Sequence, residues 1–90
     1  MRETAIIEFE NKENGTQTEI EVPLSITAND LVHALNEAFS LEMDINDIFN
    51  CYLVAENPIA FLRGNKTLEQ FGIHNGSVII YKRNGHGLSV

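Results

Sequence analysis

An α+β domain is what this sequence predicts, and three observations predict it. Two runs of alternating apolar and polar residues flank a short turn that ends in glycine. One stretch with helical periodicity follows. The rest of the chain breaks into short apolar runs separated by turn formers. Ninety residues hold one such domain and leave too little chain for a second core.

The first run, TAIIEFE (Thr4–Glu10), places Ala5, Ile7 and Phe9 on one face. NKENG, ending in Gly15, is a cluster of turn formers. TQTEIEV (Thr16–Val22) alternates again, with Ile20 and Val22 on one face and Gln17, Glu19 and Glu21 on the other. Two such runs joined by a glycine turn make a β-hairpin. Pro23 ends the second strand, because it has no amide hydrogen to give to a ladder.

A helix is expected from the residue after Thr27 to about Phe39. Thr27 and Asp30 have capping-box spacing, and Ile26 and Leu31 stand at the two positions of a hydrophobic staple. Leu31, Ala34, Leu35, Ala38 and Phe39 form an apolar stripe, with Asn29, His33, Asn36 and Glu37 on the polar side. The connection from Ser40 to Asn50 carries scattered apolar anchors, Leu41, Met43, Ile45 and Ile48. CYLVAE is expected as a strand, ENP as a turn, IAFL as a short strand and RGNK as another turn. TLEQFG has a threonine cap and a closing glycine around a single helical turn. After the HNG turn, SVIIYKR is the last strand.

Composition removes several classes of function. The apolar share, 43%, is that of a globular protein, and no apolar run approaches the ~20 residues of a membrane-spanning helix. The first residues, MRETAIIEFE, do not read as a signal peptide, so a cytoplasmic location is expected. The net charge of −7 is unevenly spread: residues 1–50 hold eleven acids against Arg2 and Lys12, whereas residues 51–90 hold Glu56 and Glu69 against four bases. Nucleic acid is not an expected ligand for so acidic a chain, but a polarised molecule can dock on a protein by charge complementarity. Cys51 stands alone, which rules out an internal disulfide and a cysteine metal cluster; it reads as a small buried apolar residue.

Nothing in the sequence assembles an active site. His33, His74 and His86 fall on a helix, a turn and the C-terminal segment, with no serine or cysteine placed to form a triad with them. Gly85 and Gly87 have no following helix to make a phosphate loop. Glu42, Asp44 and Asp47 lack the spaced ligands and turn glycine of a calcium loop. No enzyme activity, cofactor or metal is expected.

The order of elements, together with TLEQFGIHNGSVIIYK, resembles the ubiquitin-like, or β-grasp, family, in which a five-stranded mixed sheet packs on one helix. Thr67-Leu68, Phe71, Ile73, the His74-Asn75-Gly76 turn and Val78–Tyr81 carry the resemblance, which spans Ala5 to Arg83. Residues 1–83 are therefore expected as one ubiquitin-like domain and residues 84–90 as a flexible tail. VPLSITANDLVHALNEAF, followed by CYLVAENPIAFLRGNKTLEQFGIHNGSVI, looks like the YukD/EsaB family, accessory components of type VII (ESX-like) secretion systems of Gram-positive bacteria. That resemblance implies a non-covalent, regulatory binding module. Its partner would be the cytoplasmic part of a membrane-anchored secretion ATPase or a neighbouring subunit, with recruitment to the inner face of the membrane.

Ubiquitin-type modifiers and sulfur carriers, the alternative within the fold, end in adjacent glycines with a free carboxylate. This chain ends Gly85-His86-Gly87-Leu88-Ser89-Val90, so conjugation would require prior processing. The family pattern further implies that Ile79 and Tyr81 face the helix, along with Cys51, Leu53 and Ala55. Ile6, Glu8, Tyr52, Val54, Val78, Ile80 and Lys82 then face outward. Ile6, Val54 and Ile80 are expected to form a contiguous apolar strip, flanked by Tyr52 and Lys82, on the face that ubiquitin-like domains commonly use to dock. Alternation alone leaves the register open, because Val78 to Tyr81 are all apolar and a one-residue slip exchanges Ile80 for Tyr81. The acidic face of the hairpin, Glu8, Glu19 and Glu21, is a second candidate surface for a basic partner, or a charged guard on an edge strand.

Overall fold

The computed structural model describes residues 3–44, 46–47 and 52–82. The expectations for Cys51, for the anchors Ile45 and Ile48 and for the tail at 84–90 lie outside those residues. Seven elements follow in the expected order: β1 (Thr4–Asn11), β2 (Thr16–Pro23), α1 (Ala28–Phe39), β3 (Leu53–Glu56), β4 (Ala60–Leu62), α2 (Leu68–Phe71) and β5 (Val78–Tyr81). The strands form one sheet in the order β2-β1-β5-β3-β4. The central pair, β1 and β5, is parallel and the other pairs are antiparallel, so the sheet is mixed. This is the β-grasp architecture.

Alternation does the work it promised in β1, where Ala5, Ile7 and Phe9 are buried on one side. Ile79 and Tyr81 are buried on the same side of β5, the register that the family pattern implied. β2 extends one residue further than expected and includes Pro23, which is tolerated because β2 is an edge strand. Thr27 caps α1, its side-chain oxygen accepting the Asp30 backbone N–H at 3.2 Å. α2 has a complete capping box between Thr67 and Gln70. α2 is also tied to the chain entering α1: Leu68 N–H donates to the Ile26 carbonyl and Glu69 N–H to the Leu24 carbonyl, each at 3.0 Å.

Two expectations for α1 need correction. Its buried side is Ala28, Leu31, Val32 and Leu35, whereas Ala34 and Ala38 are exposed. The helix is turned to bury Val32, because a valine removes more apolar surface from water than an alanine does. Asn36 is half-buried rather than solvated. Its Oδ1 accepts the Met43 N–H at 2.9 Å and its Nδ2 donates to the Met43 carbonyl at 3.2 Å, closing the chain that leaves the helix. Asn36→Ala deletes both bonds. It is expected to cost about 2 kcal/mol, from ~1 kcal/mol per lost bond. Urea denaturation with an unchanged m-value checks this.

Candidate functional site: the open face of the sheet

α1 packs on one face of the sheet, so the other face is built only from outward-pointing side chains at every second strand position. The registers align these in rows. Gln17, Glu10, Ile80, Val54 and Phe61 make the central row, from β2 through to β4. One step along, Glu19, Glu8, Val78 and Glu56 make an acidic row interrupted by one valine. Beyond that, Ile6 stands beside Glu21. In the other direction Tyr52, Arg63 and Lys82 continue the outward faces of β3, β4 and β5.

The expected site residues can now be placed. Val54 and Ile80 are directly opposite each other and half-buried. Tyr52 and Lys82 stand one step further along their strands, and Val78 lies between Glu8 and Glu56. Ile6 does not join the strip. It is 42% exposed, but the residue of β1 opposite Ile80 is Glu10, four positions on. At 3.3–3.4 Å per residue Ile6 is about 13 Å further along the strand. Glu8 stands between them, so the expected contiguous Ile6–Val54–Ile80 strip is two separate apolar points. Alternation had correctly put Ile6 on this face, but the parallel register of β1 on β5 decides its neighbours.

Sequence reasoning missed the far side of the patch. Phe61 is 59% exposed, beside Val54, and its ring meets Tyr52 edge-on at 5.6 Å between centroids. The Arg63 guanidinium lies over the Tyr52 ring at 5.3 Å, a cation–π contact. Ile59, at the start of IAFL, is 84% exposed. Pairing Leu62 with Leu53 buries both and turns Phe61 outward. That alternation was present in IAFL, but three residues of strand give too short a pattern to register.

Charge divides this face. Glu8 and Glu19 are directly opposite each other, a repulsive cross-strand pair. Glu21 accepts the Thr4 hydroxyl. None of the three carboxylates has a basic partner among the described residues. Glu10 does, bonding Lys12 at 3.1 Å and accepting from Gln17 at 3.1 Å. A shallow depression of about 310 Å³ lies in the acidic region, lined by Glu8, Gln17, Thr18 and Glu19. The opposite region holds Arg63 and Lys82. Among the described residues no helix is long and apolar enough to cross a membrane.

No protein-family model matches the chain, and no curated protein matches it. Solved structures do. A ubiquitin-like domain from tubulin-binding cofactor B aligns with 97% of each chain covered, a TM-score of 0.73 and 16% identity. The C-terminal ubiquitin-like domain of mouse tubulin-specific chaperone e aligns over 93% of this chain and 90% of its own, with a TM-score of 0.72 and 14% identity. The ubiquitin of Caldiarchaeum subterraneum aligns over 92% of this chain and 99% of its own, with a TM-score of 0.60 and 17% identity. At such identities the likeness establishes the fold, which is ubiquitin-like.

Proposed function

We propose that this ubiquitin-like chain is a non-covalent protein-binding module rather than an enzyme. It docks through the open face of its sheet. The observation that carries this is the cluster of Val54, Ile80, Phe61 and Tyr52, apolar or aromatic at its centre and rimmed by Arg63 and Lys82. Aromatic and arginine side chains at such a patch are what protein interfaces concentrate. The resemblance to the YukD/EsaB family gives the module its setting, a cytoplasmic accessory component of a bacterial type VII secretion system. The partner is the cytoplasmic part of the membrane-anchored secretion ATPase or an adjacent subunit, which brings the module to the inner face of the membrane.

The test is affinity capture from detergent-solubilised extract of the source organism, comparing wild type with Ile80→Asp and Phe61→Ala. Phe61 is exposed, so its truncation leaves the fold intact. At a central aromatic anchor it is expected to weaken binding at least 30-fold, the equivalent of about 2 kcal/mol. The expected result is a secretion ATPase or neighbouring subunit held by wild type, removed by a denaturing wash and absent with both variants. A partner retained equally by both variants overturns the docking face. A heavier covalent species that survives denaturation overturns the non-covalent reading.

A further inference from the structure

We infer that the same face is self-complementary and that its occupant in the free protein is a second copy of this chain. The inference shares a surface with the proposed function but does not depend on the secretion partner. It rests on where the charges sit. The acidic corner, Glu8, Glu19 and Glu21, lies on β1 and β2 toward the Ile6 end. The basic corner, Arg63 and Lys82, lies diagonally across, beyond Phe61 and Ile80 toward the Tyr52 end. With strands about 4.8 Å apart and outward residues about 6.7 Å apart along each, the two corners are ~20 Å from centre to centre, and their midpoint falls beside Ile80.

A two-fold axis lying in the plane of the interface, perpendicular to that diagonal and passing by Ile80, exchanges the corners. Two copies facing each other about this axis bring each Arg63 among Glu8, Glu19 and Glu21 of the other, where the shallow acidic depression lies. Each Lys82 comes over Glu10. Phe61 packs on Val78, the one apolar residue of the acidic row, and the two Ile80 side chains meet near the axis. Every contact is thus made twice, as an isologous interface requires, and the two Glu56 side chains meet near the axis as the like-charged contact that weakens the pair. The arrangement also relieves the Glu8–Glu19 repulsion that each monomer carries alone. Phe61 becomes covered, and Ile59 lies at the margin.

The face is small. Five strands span about 19 Å and the outward rows about 20 Å. That is the low end of what a specific interface buries, and the net charge of −7 on each copy opposes association. A dissociation constant of roughly 100 μM is therefore expected.

Sedimentation equilibrium of the full chain from ~20 μM to ~1 mM tests this, with the 10.1 kDa monomer as reference. Wild type is expected to approach twice the monomer mass at the top of the range. Arg63→Glu alone should stay monomeric, because glutamate then faces glutamate. Glu8→Lys/Glu19→Lys should also stay monomeric, because lysine then faces arginine. Mixing the two variants is expected to restore the dimer, since both corners of the mixed pair are again opposite in charge. Circular dichroism confirms that each variant is folded. Should the lysine pair fail to fold, amide shifts of wild type on dilution decide instead: they are expected at Phe61, Val78 and Ile80 and not on α1. Monomer throughout the range overturns the inference. So does a dimer indifferent to both charge reversals, a mixture that stays monomeric, or dilution shifts that map elsewhere. Loss of the secretion partner with the dimer intact would count against the proposed function alone.

Discussion

Ile79→Asp is expected to leave the chain unfolded, whereas Ile80→Asp, one residue away, is expected to fold. Ile79 is fully buried at the centre of the sheet, with Phe9 opposite on β1 and Ala55 opposite on β3. A carboxylate there is stripped of water with no cation to meet it, at a cost of several kcal/mol, and the isoleucine's own burial is lost as well. A domain of this size sits near the low end of the usual 5–15 kcal/mol of stability, so about that much is enough to unfold it. Ile80 points the other way, half-exposed between Glu10 and Val54. Aspartate at this position gives up β-propensity and adds a like charge opposite Glu10, about 1–2 kcal/mol in all. Amide dispersion in a proton–nitrogen spectrum and a cooperative urea transition separate the two outcomes. A folded Ile79→Asp beside an unfolded Ile80→Asp would mean that β5 is slipped by one residue and that its outward side chains are wrongly assigned.

Phe9→Ala is the second large effect. Phe9 is among the largest fully buried side chains, and its ring lies 4.9 Å from that of Phe39 at 39°. This contact joins the middle of β1 to the last residue of α1. Removing the ring loses its transfer free energy and leaves a cavity between sheet and helix, so a loss of about 3–5 kcal/mol is expected. For a chain of this length that lowers Tm by roughly 12–40 °C, at ~4–8 °C per kcal/mol. Phe39→Ala costs less, because Phe39 is only half-buried. The double variant should show a coupling of about 0.5–1.5 kcal/mol, the size of an aromatic pair. Thermal and urea unfolding of the three variants give all of these quantities. A Phe9→Ala loss below about 1.5 kcal/mol would mean that the ring is not a core element.

Much of this protein is determined by local pattern. The period-2 runs in TAIIEFE and TQTEIEV set which side of each strand is apolar, because successive side chains must point to opposite faces. Thr27 and Thr67 set where the helices start, because a threonine oxygen is positioned to accept an otherwise orphaned N–H. Such features depend on a few neighbouring residues and are legible without any fold. The face on which α1 is buried was only partly legible. Helical spacing admits both Ala34 and Val32, and packing against the sheet selected the larger side chain.

The composition of the open face of the sheet was decided by tertiary structure. Alternation says that Ile6 points outward and the family pattern adds Ile80 and Val54, but neither carries information on the offset of one strand against another. That offset is fixed where β1 and β5, far apart in sequence, pair in parallel with Phe9 beside Ile79 and Asn11 beside Tyr81. Packing these inward-facing partners places Glu10, not Ile6, beside Ile80. The pairing of Leu53 with Leu62 does the same on the other side and brings Phe61 and Arg63 into the patch. The sequence thus set the chemistry available on each face of each strand. The buried partners, through the energy of burying them together, set which of those side chains became neighbours.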